Sequence, residues 1–255
     1  MNPTNQTALL DFVTRLGDNS LIAGHRLSEW CSNAPYLEED IAMTNMALDF
    51  VGASRILLTY AGEVEGKGRT EDDFAFVRKN EEFRNALLLE QPNGDFAVTT
   101  AKQFFYATFN YLLFSELQKS KDETLAGFAA KALKEVTYHL RHANEWVLRL
   151  GDGTAESKTR MQNGINEVWR FTGDLFATTE ADLLLEQEGI IPNVPELKTK
   201  WYEMISDILE KATLAIPDLN AFQQKGSREG KHTEHLSYIV SEMQSIARVY
   251  PGVKW

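Results

Sequence analysis

Apolar residues recur at three- and four-residue steps through most of this chain, the spacing of a helix with one buried face. Leu9, Phe12, Val13, Leu16, Leu27 and Trp30 mostly keep those steps and predict a first helix that ends by Pro35. From Leu37 to Tyr60 the chain is apolar nearly all round, which predicts a helix buried among others. A third starts after Asp95, an expected N-cap, and runs through Phe104, Phe105, Phe109, Leu112, Leu113 and Phe114 within 96–120. A fourth covers Leu125 to Leu150 and stops at Gly151. Shorter helices are expected over 155–177, 197–214 and 233–249, the last capped by Thr233 with Glu234 in its first turn. Prolines at 3, 35, 92, 192, 195, 217 and 251 leave 36–91 and 93–191 free of helix breakers. Glycine and polar clusters mark joints at Gly62 to Gly68, Gln91-Pro92-Asn93-Gly94, Gly151-Asp152-Gly153 and Gly226 to Gly230. No alternating strand pattern of useful length and no internal repeat is visible. The expectation is an all-α fold in which one domain, 1–255, holds four long helices with shorter additions.

Composition narrows the function classes. With 255 residues, 43% hydrophobic and 25% charged, the chain has the makeup of an ordinary globular protein. A formal net charge of −11 argues against a nucleic-acid backbone or an anionic membrane as partner. Cys31 is the single cysteine, so no intrachain disulfide can form and nothing points to an oxidising compartment. The start, Met1-Asn2-Pro3-Thr4, shows no basic region followed by an apolar stretch, and no apolar run approaches the roughly 20 residues of a membrane span. A cytoplasmic location is the expectation.

Nucleotide and nucleophile motifs are absent. Gly62-Glu63-Val64-Glu65-Gly66-Lys67 is one residue short of a P-loop, follows a helix and lacks the hydroxyl residue after lysine, so it reads as a joint. Gly226-Ser227-Arg228-Glu229-Gly230 displaces the serine from the centre of a nucleophile elbow. The informative signal is polar residues on helices otherwise suited to burial. Asn45, Asp49 and Gly52 share one helix face, as do Thr99, Gln103, Tyr106 and Asn110; Glu135, His139 and His142 mark a third helix, and Asp18 and Asn19 sit mid-way along the first. Four helices presenting polar stripes inward are how bundles build carboxylate-bridged metal sites.

Such a di-iron site needs a Glu from each of two helices and Glu-x-x-His from two others. His25 is preceded at that step by Ile22, His139 by Val136, His142 by His139 and His235 by His232; only His232 follows an acid, Glu229, and that pair falls in a joint. Glu135 has Tyr138 where its histidine belongs, with His139 one position late, and Asp49 has Gly52. The ligand set fails, so no metal is expected in this chain. Asp49 is then expected to pair with a cation such as Arg55 or a lysine of another helix, and the phenylalanines from 104 to 114 to be core. Lys225, Arg228 and Lys231 suit a phosphate, or a solvated or partner-facing loop with Glu229 among them.

Several segments resemble the C subunits of bacterial phenylacetyl-CoA epoxidases, the multicomponent monooxygenases of phenylacetate breakdown. They are Leu16-Gly17-Asp18-Asn19, Arg26-Leu27-Ser28-Glu29-Trp30-Cys31, Leu48-Asp49-Phe50-Val51-Gly52, Glu90-Gln91-Pro92-Asn93-Gly94 and Lys134-Glu135 with Tyr138-His139-Leu140-Arg141. His232-Thr233-Glu234-His235-Leu236, Ser241-Glu242-Met243-Gln244 and Pro251-Gly252-Val253-Lys254-Trp255 continue the match, which covers almost the entire chain. The resemblance implies a ferritin-like four-helix bundle that has lost its metal ligands and supports a homologous catalytic A subunit. That partner holds the di-iron centre and epoxidises the ring, with electrons from NADPH through a reductase subunit. The resemblance also implies that Asp18 or Asn19, Asp49 and Glu135 stand at the former metal site, with Tyr138 and His139 beside them. The leading expectation is a noncatalytic structural subunit without cofactor. Its contact with the catalytic partner is expected to include the region Lys225 to Trp255, with Arg228, Lys231, His232 and Trp255 as contact or phosphate-binding residues. Two alternatives stay open: a di-iron oxygenase with nonstandard ligands Asp49, Glu135, His139 and His142, and a coenzyme A binding module using Lys225, Arg228 and Lys231.

Overall fold

In the computed structural model, which describes residues 3–253, the first two helices meet along a pair of glycines. Helix α1 (Pro3–Ser28) and helix α2 (Leu37–Glu65) lie antiparallel over most of their length. A Cβ on Gly17 would come within 2.5 Å of the Leu58 side chain, and one on Gly24 within 3.2 Å of the Ala47 carbonyl oxygen. The absence of side chains at these two positions is what lets the backbones approach so closely. α1 is buried around nearly its whole circumference, including the polar residues Arg15, Asp18, Asn19 and Ser20.

Burial all round, expected for α2, does not occur. The helix turns Met43, Met46, Ala47, Phe50, Leu57 and Leu58 inward and leaves Leu37, Ile41, Leu48, Val51 and Ile56 exposed. Asn45 and Gly52, expected on an inward polar stripe, are exposed as well, and Asp49 is half-buried. An all-round apolar pattern carries no direction, and only part of the surface of α2 is covered. The helix also runs through Gly62, where a joint was expected, and ends at Gly66, whose left-handed φ of 69° turns its N–H back to the Gly62 carbonyl. Gly62 is required by packing, since a Cβ there would lie 2.3 Å from the Arg69 carbonyl oxygen.

Two short helices follow, α3 (Glu71–Phe76) and α4 (Leu87–Glu90), separated by a 3-10 turn at Asn80–Glu82. Residues up to Pro92, together with those from Gly226 onward, form one compact unit; Asn93–Lys225 form another. The second unit is built on α5 (Phe96–Leu117), against which α6 (Glu123–Gly151), α7 (Ala155–Trp169) and α9 (Val194–Lys211) pack. The Asp95 carboxylate caps α5 by accepting from the Ala97 and Val98 N–H groups at 3.0 Å each. Phe104, Phe105, Phe109 and Phe114 are all core. Around them Trp169 stacks on Trp201 with centroids 5.7 Å apart, and the Trp201 indole N–H reaches the Phe105 carbonyl at 2.9 Å.

Where one helix was expected over 155–177, α7 gives way to a 3-10 turn at Thr172–Phe176, and α8 (Glu180–Gln187) was not expected at all. Both α3 and α8 begin with reciprocal capping boxes, Thr70 with Asp73 and Thr179 with Asp182. Back in the first unit, α10 (Glu234–Met243) and α11 (Ser245–Val249) replace the single helix expected over 233–249. Among the described residues there is no strand.

The two helical glycines of α2 give opposite expectations. Alanine at an open helix-interior glycine gains about 1 kcal/mol of helix propensity, and no atom lies within 4 Å of a Cβ placed on Gly52. Gly52→Ala should therefore raise the thermal midpoint by a few degrees, whereas Gly62→Ala should lower it. Equal shifts of the same sign in calorimetry would contradict this packing.

Candidate functional site

The first unit contains a chain of buried polar groups that starts on α1. Asp18 has no exposed surface, and both of its oxygens are engaged. Oδ1 accepts from Nη2 of Arg78, and Oδ2 accepts from Arg78 Nη1 at 3.1 Å and from the Arg84 backbone N–H at 2.9 Å. A buried guanidinium is tolerable only when matched in charge and hydrogen bonding. Arg78 also donates to the Phe74 and Glu82 carbonyls and lies over the Phe83 ring with its Cζ 4.3 Å from the centroid. Next to Asp18, the Asn19 side-chain oxygen accepts from the Ala86 N–H at 2.7 Å. Two consecutive residues of α1 thus fix the irregular segment between α3 and α4.

Glu90, at the end of α4, does the same for the returning C-terminal segment. Its carboxylate is fully buried and meets four donors. Oε1 accepts from the Thr233 N–H at 2.6 Å and hydroxyl at 2.7 Å, and Oε2 faces Asn85 Nδ2 at 3.0 Å and His232 Nδ1 at 2.8 Å. The other ring nitrogen of His232 faces the Phe83 carbonyl at 2.9 Å. An acceptor thus lies against each ring nitrogen. Arg26 donates to the Glu90 carbonyl at 2.8 Å from α1. Further along, the buried Gln244 amide donates to the Ala75 and Arg78 carbonyls at 3.1 and 2.9 Å, and its oxygen accepts from Arg248 at 2.7 Å. Gln244 stands where α10 stops and α11 starts, which accounts for the break in the expected helix.

These contacts correct several expectations. Thr233 holds the N-cap position of α10, but its hydroxyl goes to Glu90 and makes no capping bond. His232 does not face a partner or a phosphate, because its side chain is buried against Glu90. Arg228 is half-buried and donates to the Arg84 carbonyl and the Ser227 hydroxyl. Lys231 is exposed and paired with Glu229, Lys225 is exposed, and Trp255 lies outside the described residues. Arg55 pairs with Glu71 at 3.3 Å rather than with Asp49.

On α6, His139 is buried, Glu135 is half-buried and Tyr138 is exposed, its ring centroid 6.2 Å from that of His139 and 6.1 Å from that of His142. Asp49, Glu135, His139 and His142 each have interacting neighbours. Among the described residues, no three His, Cys, Asp or Glu side chains are grouped so as to hold a metal ion. A bridged iron pair needs carboxylate oxygens facing it, and those of Asp18 are already directed at Arg78 and the Arg84 amide. Asp18 is therefore not free to face such a pair. Arg78, Asn85, Glu90 and Gln244 escaped the sequence reading. Glu90 and Gln244 stand inside segments that carried the family resemblance, but nothing in their spacing announced a clasp.

Asp18→Ala would strand the Arg78 guanidinium and should cost on the order of 3–5 kcal/mol by urea unfolding. A loss below about 1 kcal/mol would mean that the pair contributes no more than a surface bridge. His25 supplies a pH signature. Burial holds its imidazole below the ordinary value of 6.5, with Glu242 and Glu29 pulling the other way. Its contribution to stability is therefore full above about pH 6.5 and is lost as pH falls through the folded value. His25→Gln should flatten the fall in thermal midpoint below about pH 6.5; parallel curves for parent and variant would contradict the assignment.

Comparison with known proteins agrees with the segments that carried the resemblance. The chain is 44% identical over 247 residues to the Escherichia coli (strain K12) protein named as the C subunit of 1,2-phenylacetyl-CoA epoxidase, a match covering 97% of this chain and 99% of that one. A sequence model of the family described as phenylacetic acid catabolic protein matches residues 1–255. The chain belongs to that family.

Proposed function

We propose that this chain is the noncatalytic structural subunit of a phenylacetyl-CoA 1,2-epoxidase, acting in aerobic phenylacetate breakdown in the cytoplasm. Its partner is the homologous catalytic A subunit, which carries the di-iron centre; other subunits, among them the NADPH-dependent reductase, complete the enzyme. The observation that carries this reading is the state of Asp18 and Asn19. In a metal-binding bundle, mid-helix polar residues of this kind point at the metals. Here they hold Arg78 and the Ala86 amide, so the buried polarity of α1 maintains the fold. A chain built this way supports a reaction by giving a partner a surface to pack on, and the uncovered apolar face of α2 is such a surface.

Co-expression with the catalytic partner should yield one complex on a sizing column. Epoxidation by that partner and the reductase should fall sharply when this chain is left out. Separate elution at working concentration, with full epoxidation by the catalytic partner and reductase alone, would end the proposal.

A further inference from the structure

The outer face of α2 is apolar and uncovered. Leu37, Ile41, Leu48, Val51 and Ile56 are 72, 53, 64, 43 and 42% exposed, and Tyr36, just before the helix, is 63% exposed. At roughly 150–200 Å² per large residue, these six leave on the order of 500–670 Å² of mostly apolar surface. That reaches the upper end of what a monomer shows, about 300–600 Å². With the polar atoms between them, the area approaches the about 800 Å² that each side of a standard complex contributes. The exposed positions from Leu37 to Ile56 form a straight strip about 29 Å long at the helical rise.

Gly52 lies in this strip. Every other glycine inside α1 or α2 has a neighbour of its own chain in its Cβ space, at 2.5 Å for Gly17, 3.0 Å for Gly24 and 2.3 Å for Gly62. The space at Gly52 is empty to 4 Å, so no contact within the chain explains a residue that costs helix stability. Leu48, Val51, Gly52 and Arg55 have the spacing of the four residues that form a hole for a side chain of a facing helix. The glycine corner makes that hole deep.

We infer that the strip centred on Gly52 is the seam on which an apolar helix of the catalytic partner packs, with one of its side chains seated between Leu48, Val51 and Arg55. This rests on the proposed function for the identity of the partner. Two copies of this chain, each with a net charge of −11, repel one another, whereas a different protein is free to complement that charge. A membrane is a poorer match, although α2 is long and apolar enough to cross one by length and composition. Its strip is interrupted by Asn45 and Arg55, with Glu38 and Glu63 at its ends and no basic rim to meet anionic lipid.

The test measures binding of the catalytic partner to the full chain and to Gly52→Leu, Leu48→Glu and a control, Leu183→Glu, placed on an exposed residue of α8. Gly52→Leu and Leu48→Glu should each weaken binding at least tenfold with thermal midpoints at or above that of the parent. The control should bind as the parent does, and amide exchange across 41–56 should slow when the catalytic partner is added. If a variant fails to fold, the exchange experiment on the parent decides. Parent binding that all three variants and the exchange pattern leave unchanged would overturn the seam and leave the proposed function standing. No binding by the parent would remove both. A dimer of the chain alone that Gly52→Leu makes monomeric, or flotation with anionic phosphatidylserine vesicles that Leu48→Glu abolishes, would assign the strip to another occupant and overturn the inference.

Discussion

An arginine enclosed by apolar side chains has to be matched in charge and hydrogen bonding, and in this chain Arg78 is matched by Asp18. The pair fixes where the segment after α3 can run, because the same carboxylate also takes the Arg84 amide while Asn19 takes that of Ala86. Fixing that segment presents Phe83, Asn85 and Glu90 as a cradle. The cradle then holds His232 and Thr233 at the start of the returning C-terminal stretch. Gln244 closes the series by binding the carbonyls of Ala75 and Arg78 itself. Each step supplies the geometry that the next one needs, so removal of the first ion pair acts on the whole series.

This arrangement bears directly on function. Helical bundles that activate oxygen direct acidic side chains from several helices toward a pair of metals. Asp18 of α1 is directed here toward a guanidinium of its own chain, which lies over the Phe83 ring. What the first unit offers instead is surface, since α2 is covered on its α1 side and bare along an apolar strip. A buried polar network on one side of a helix pair and an apolar strip on the other are what the proposed supporting role calls for.

The long helices were legible because spacing of apolar residues reports periodicity directly. Asp95 was readable as a cap because a carboxylate before an apolar run has one common use. The orientation of α2 was not legible: with apolar residues on all sides, the sequence does not say which will be covered. The short helices α3 and α8 carried a readable sign in Thr70-x-x-Asp73 and Thr179-x-x-Asp182, too brief to show as periodicity. At the site, Asp18 and Asn19 stood out as polar residues in an apolar helix, but their use was hidden. Their partners Arg78, Arg84 and Ala86 lie some sixty residues away in an irregular segment, and no spacing rule connects them. His232 was misread for the same reason, since its partner Glu90 is 142 residues distant.

The central claim is that the buried acids of this chain serve the fold and not a metal. Anaerobic titration of the purified chain with ferrous iron, followed by metal analysis after gel filtration, tests it most directly. The account predicts that no stoichiometric iron remains with the folded protein. About two irons per chain, retained by the parent and lost on replacing Asp18 or Glu135, would contradict it.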